Sequence, residues 1–193
     1  MPNLYIIAGC NGAGKTTASF TILPEMLNCR EFVNADEIAR GLSPFQPEKV
    51  PIESGRIMIH RVNELIEQQV DFAFETTLST LSLQGIIASA KEKDYVITLV
   101  YIWLKSPEMA IQRVRKRVSE GGHDIPDETI IRRYNSGLNN LFELYMPISD
   151  FWMVIDNSES PLTLVAEGLI NEEEKIYNKD IWDKIKSLTN EKR

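Results

Sequence analysis

The stretch Gly9-Cys10-Asn11-Gly12-Ala13-Gly14-Lys15-Thr16 constrains this chain more than any other part of it. Glycine, four residues, then Gly-Lys-Ser/Thr is the spacing of a loop that wraps phosphate. A strand-like run, Leu4–Ala8, precedes it, and a helix-compatible stretch follows from Thr16 to about Leu27. Between a buried strand and a helix, such a loop turns its backbone N–H groups inward. The positive end of the helix then adds to the attraction for an anion. Gly9, Asn11, Gly12, Ala13, Gly14, Lys15, Thr16 and Thr17 are therefore the candidate nucleotide-binding residues. Lys15 reaches the terminal phosphates as a point charge. The Thr16 hydroxyl is placed for a magnesium ion bridging the last two phosphates, and Thr17 reaches an inner phosphate.

The rest of the chain alternates strand and helix signals. Strands are expected at Leu4–Ala8, Glu31–Asn34, Asp71–Glu75, Val96–Leu104 and Phe151–Ile155. Helices are expected at Thr16–Leu27, Glu48–Gln68, Leu81–Lys93, Pro107–Ser119 and Asp127–Met146, with terminal helices at Leu162–Ile170 and Ile181–Leu188. This alternation implies an α/β fold of the P-loop NTPase class, with a mostly parallel five-stranded sheet and helices on both faces. Ser106-Pro107 is a helix start, serine capping and proline in the first turn. Asp127 is read as the cap of the next helix, and Pro147 as its end. The charged segment from Glu172 to Arg193 reads as a solvated helix and frayed tail.

At 193 residues the chain fits a single kinase-sized domain, 1–193, with a lid region at about 107–135 and terminal helices at about 161–193. A net charge of -7 argues against a general nucleic-acid binder. No apolar run is long enough to span a bilayer, and a strand starting at Leu4 leaves the expectation of no leader peptide. Two cysteines, Cys10 and Cys29, suit neither a disulfide framework nor a zinc site, so a reducing cytoplasm is the expected location. Cys10 reads as a small residue tolerated in the loop. His60 and His123 are the only histidines, which excludes a histidine-rich metal site; both read as surface or loop residues.

In open parallel sheets, ligands bind beyond the carboxyl ends of the strands. After the second strand stands Asn34-Ala35-Asp36-Glu37, after the third Glu75-Thr76-Thr77, and after the fifth Asp156-Asn157-Ser158. Phosphoryl transfer needs a positioned phosphate, an oriented nucleophile and cations for the developing charge. Asp36 is the candidate base for an acceptor hydroxyl; the alternative is that it only caps the short helix Glu37–Arg40. Glu75 is placed to hold a metal-bound water or an acceptor hydroxyl, or else to form a strand-end salt bridge. Arg113 and Arg117 share a helix flank beside Ala110, Val114 and Val118. Arg132 and Arg133 follow the glycine link Gly121-Gly122. Two arginine-bearing helices joined by glycines read as a lid over the donor phosphates, against the alternative of a solvated basic face. An Asn-Lys-x-Asp guanine motif is missing, since Asn178-Lys179-Asp180 has the wrong spacing and position. The acidic motif of motor ATPases is missing too. Both absences favour a small-molecule kinase.

These pieces together resemble the zeta-toxin group of phosphate-loop kinases, over about Leu4 to Asn157. The resemblance is carried by Gly9–Thr16, by Asn34-Ala35-Asp36-Glu37-Ile38-Ala39 with Gly41-Leu42-Ser43-Pro44, and by Phe74-Glu75-Thr76-Thr77-Leu78-Ser79. It continues in Arg117-Val118, the link Gly121 to Pro126, and Arg132-Arg133-Tyr134. It implies an ATP- and magnesium-dependent kinase acting on a sugar hydroxyl of a UDP-activated amino sugar, typically UDP-N-acetylglucosamine. It implies Asp36 as catalytic base and Glu75-Thr76 as substrate-binding residues. Arg117 and Arg133 are the implied lid arginines, with Arg113 and Arg132 as neighbours that remain candidates. It also implies a cognate antitoxin protein as a possible partner. The chain is shorter than the larger toxins, with little room for an extended sugar-nucleotide insertion. Two other readings stay open: a kinase for another nucleoside or dinucleotide metabolite, and a nucleotide-dependent interaction protein without a soluble acceptor.

Overall fold

The computed structural model of the chain describes residues 1–122 and 124–190; His123 and the last three residues of the expected tail lie outside them. Strand β1, Asn3–Ala8, is buried from Leu4 onward. Apolar burial of successive residues, whose side chains point to opposite faces, marks a central strand covered on both sides. It lies parallel between β3, Phe72–Thr76, and β4, Val96–Trp103. Strand β2, Glu31–Val33, adds to β3, and β5, Phe151–Asp156, adds to β4, both parallel.

Helix α1, Lys15–Thr21, runs into one wider turn at Ile22–Met26. The other crossovers are α2, Ala35–Leu42; α3, Pro51–Gln68; α4, Leu83–Glu92; α5, Pro107–Ser119; and α6, Asp127–Asn140. Ser106 caps α5 as expected, its hydroxyl accepting from the Met109 N–H at 3.3 Å. The start of α6 differs from expectation. Pro126 occupies the cap position and Asp127 lies in the first turn, where it pairs with Arg115 of α5 instead of capping.

Among the described residues the sheet has seven strands, not five, in the order β2-β3-β1-β4-β5-β6-β7. The additional strands are β6, Thr163–Leu169, and β7, Lys175–Ile176, both antiparallel to their neighbours. The segment expected as the helix Leu162–Ile170 is thus mostly strand. Its apolar residues also fit a helical period, but β-branched Thr163 and Val165 suit a strand, and β5 would otherwise end the sheet with an open edge. Gly168 passes so close under Trp152 that a Cβ there would lie 2.5 Å from the ring. The tail is not a solvated helix either. Helix α7, Lys179–Asn190, buries Trp182 and Ile185 completely. Trp182 stacks on Trp152 with ring centroids 5.6 Å apart.

Helix α5 ends in a Schellman turn. The Gly121 N–H donates to the Val118 carbonyl at 3.0 Å and the Gly122 N–H to the Arg117 carbonyl at 2.8 Å. Gly121 takes a left-handed φ of 92°, which this turn requires and a side chain disfavours. The expected glycine link is therefore the terminator of the first arginine-bearing helix.

Candidate active site

The loop between β1 and α1 is held from three sides. Gly9 approaches β4 so closely that a Cβ would lie 2.3 Å from the Ile102 carbonyl oxygen. The Ala13 N–H donates to the Cys10 carbonyl at 3.2 Å. Asn157, just past β5, donates its side-chain amide to the Ala13 carbonyl at 2.8 Å. The Lys15 ammonium donates to the Cys10 carbonyl at 3.0 Å and lies 3.4 Å from Glu75 Oε1. Burial pushes the Cys10 thiol up to about 11, against the pull of Lys15, so it stays protonated at neutral pH and is no nucleophile.

The register of the sheet brings the acids to this loop. Glu75 pairs with Ile7 across β1, and Val33 pairs with Phe74, so Asn34 emerges beside Glu75. Glu75 Oε2 accepts from the Thr16 hydroxyl at 2.7 Å and from the Asn34 amide at 2.9 Å. Asn34 also starts α2. Its Oδ1 accepts from the N–H groups of Asp36 at 2.8 Å and Glu37 at 3.4 Å. The cap is therefore Asn34, and the alternative that Asp36 itself caps this helix is ruled out. Asp36 sits in the first turn, and its side chain makes no hydrogen bond or short ion pair among the described residues.

Two cavities meet at these side chains. One, of about 310 Å³, is lined by Asn11, Gly12, Gly14, Lys15, Thr16 and Thr17 of the loop, together with Arg40, Arg113 and Arg117. The other, of about 330 Å³, has a rail of hydroxyls from Thr76, Thr77, Thr80 and Ser82, and an apolar wall of Met58, Ile59, Leu83 and Ile86. Asn11, Lys15, Asp36 and Glu75 line both.

The four candidate arginines separate. Arg133 donates to Asn11 Oδ1 at 3.1 Å and borders the second cavity. Burial draws its pKa down, and attraction to Asp36 opposes that. Arg132 is exposed and lines neither cavity. Arg113 donates to the Asn157 carbonyl at 2.6 Å and lines the loop cavity together with Arg117. The seat of Arg133 comes from a close approach one turn later. A Cβ on Gly137 would fall 2.3 Å from the Thr77 carbonyl oxygen, and Asn140 donates to the Leu78 carbonyl at 2.6 Å.

Sequence reasoning gave no role to Asn34 or Asn157, although both stand in the polar strand ends that it singled out. The signal was their position at the carboxyl edge of the sheet.

A magnesium ion fits this donor set in one particular way. Among the described residues no group of three or more His, Cys, Asp or Glu side chains is arranged to hold a metal. Thr16 and Glu75 supply hard oxygens at the loop, which suits an ion held mainly by phosphates and water rather than by a protein cage.

Comparison with known proteins gives a consistent picture. The family model described as zeta toxin matches residues 1–159. An uncharacterized protein of Haemophilus influenzae is 32% identical over 127 residues, covering 65% of this chain and 88% of that protein. Among solved structures, a chain of the AvrRxo1-ORF1:AvrRxo1-ORF2 complex with ATP superimposes with a TM-score of 0.77 at 20% identity, covering 97% of this chain. This chain spans only 64% of that one. The PezAT toxin-antitoxin system of Streptococcus pneumoniae matches with a TM-score of 0.67 at 18% identity, covering 99% of this chain and 87% of that one. At such identities the structural matches establish a shared fold.

Proposed function

We propose that this chain, which belongs to the zeta toxin family, is an ATP- and magnesium-dependent kinase that phosphorylates a hydroxyl of a small acceptor. The acceptor of first choice is the amino sugar of UDP-N-acetylglucosamine, in line with the family resemblance. The observation that carries the reading is the pair of cavities joined at Asp36 and Glu75, one lined by the phosphate loop and the other by hydroxyls and an apolar wall.

In this reading ATP lies with its phosphates on Gly9–Thr17, and the acceptor hydroxyl lies beside Asp36. The hydroxyl oxygen attacks the terminal phosphorus in line with the leaving oxygen. The bond between that phosphorus and the bridging oxygen breaks, and ADP leaves. The hydroxyl proton passes to the Asp36 carboxylate and from there to solvent. Lys15, Arg117 and Arg133 oppose the charge that builds on the transferred group, with Arg113 adjoining them. Thr16 and Glu75 would hold magnesium, which would neutralise charge on the phosphates. Glu75 and Thr76 face the acceptor. Helices α5 and α6 serve as the arginine-bearing lid, and a cognate antitoxin is the proposed protein partner. No described helix is long and apolar enough to cross a membrane; a cytoplasmic site of action is part of the proposal.

A second reading rests on one observation. Apart from Lys15 and Arg133 at the transfer end, none of the described residues lining the acceptor cavity is cationic. That favours an acceptor, such as a nucleoside, that presents no diphosphate inside the cavity. Labelled-phosphate transfer from ATP, run in parallel with UDP-N-acetylglucosamine, its parent amino sugar and a nucleoside panel, separates the readings. Label on the UDP-sugar supports the first. Label only on nucleosides replaces it with the second. ATP hydrolysis with no labelled acceptor sinks both in favour of a partner-dependent ATPase.

A further inference from the structure

We propose that Asn34 is a positioning residue that couples the metal corner of the site to the helix carrying the base. The inference rests on the kinase reading and adds a residue to it.

A helix cap needs only one acceptor atom. Asn34 Oδ1 does that work for the N–H groups of Asp36 and Glu37. The other half of the same amide does something a cap does not require. Its Nδ2 donates to Glu75 Oε2 at 2.9 Å and reaches toward the Thr16 hydroxyl at 3.4 Å. Asn34 is only 6% exposed, so water competes little for these bonds. One planar side chain therefore fixes three things at once: the start of α2, the Glu75 carboxylate, and through it the Thr16 hydroxyl. The sheet makes this possible, because Asn34 leaves β2 one residue past the Val33–Phe74 pair. A shift of Glu75 toward an ion at Thr16 would pull on Asn34 and hence on the first turn of α2, where Asp36 sits.

Cap and coupling are separable chemically. Serine and aspartate are both good caps. Serine is too short to reach Glu75. Aspartate reaches but brings a second carboxylate against the first, where the amide had donated. Asn34→Ser and Asn34→Asp therefore keep the helix start and remove the coupling in two different ways.

The test is the affinity of a non-hydrolysable ATP analogue, measured by calorimetry with and without magnesium, for the parent, both variants and Asn34→Ala. Thermal midpoints, kcat and KM accompany it. In Asn34→Ser, affinity for the metal-free analogue and the thermal midpoint should stay near the parent. The gain in affinity on adding magnesium should fall about tenfold or more, as is usual when a group supporting metal ligands is lost. Asn34→Asp should lose more of that gain, and kcat should fall more than KM rises. A parent-like magnesium gain and kcat in Asn34→Ser, with only Asn34→Ala impaired, would overturn the proposal and leave Asn34 a simple cap. The binding arm needs no acceptor. If the parent labels no acceptor but its magnesium gain depends on Asn34, the coupling stands and the kinase reading falls.

Discussion

Arg132 and Arg133 are adjacent, yet the structure gives them different surroundings. Arg133 is half-buried against Asn11 and faces Asp36, whereas Arg132 is exposed. Arg133→Ala should lower kcat by roughly a hundredfold or more, the usual cost of one preorganised charge at a transfer site. Arg132→Ala should stay close to the parent, and steady-state kinetics on both variants checks this. Equal losses would place both on the phosphates and contradict the separation. In the sequence only the family resemblance favours Arg133 over Arg132, because their orientation depends on how tightly α6 packs at Gly137 on the loop after β3. Asp36 was legible as a strand-end acid. That its side chain is released from capping was not legible, since asparagine and aspartate two residues apart compete equally well for the cap.

At the scale of elements, the junction between α5 and α6 is the sensitive one. A Cβ on Gly122 would lie 2.6 Å from Arg117 Cγ and 2.9 Å from its carbonyl oxygen. Gly122→Ala must therefore move Arg117. The expected result is a rate loss of roughly ten- to a hundredfold, because small misplacements of a charge near the reacting atoms are costly. The thermal midpoint should fall as well, because the clash with the Arg117 carbonyl strains the turn that ends α5. A parent-like rate would remove Arg117 from the transfer site. The pattern Gly121-Gly122 was visible in sequence as a flexible link. Its actual role, ending α5 through two backbone hydrogen bonds to Val118 and Arg117, depends on where the helix stops. The placement of the loop Gly9–Thr16 between strand and helix was readable because it is local, whereas the asparagine clamp from Asn157 joins residues far apart in the chain.

Across the whole molecule, the parallel half of the sheet followed from alternating apolar runs and helical periods. The antiparallel addition did not. Strand β6 has a pattern compatible with either period, and only its pairing with β5 decides it. Helix α7 looked like a charged tail because its burial rests on few residues, chiefly Trp182 and Ile185. Trp182→Ala should destabilise the protein by about 3–5 kcal/mol, as expected for removing a large buried ring, and denaturant unfolding reads this directly. A loss well under 1 kcal/mol would mean that α7 is not docked on β5 and β6 through the Trp152–Trp182 stack.

In the proposed function, Asp36 acts on an acceptor hydroxyl next to a phosphate held by the loop. Single-turnover transfer of labelled phosphate from ATP by Asp36→Asn, with ATP affinity measured on the same protein, tests that most directly. The expected result is a transfer rate reduced by about 10²- to 10⁴-fold, the range for loss of a general base, with ATP affinity nearly unchanged. Transfer at the parent rate, or loss of ATP binding in step with activity, would contradict the role given to Asp36.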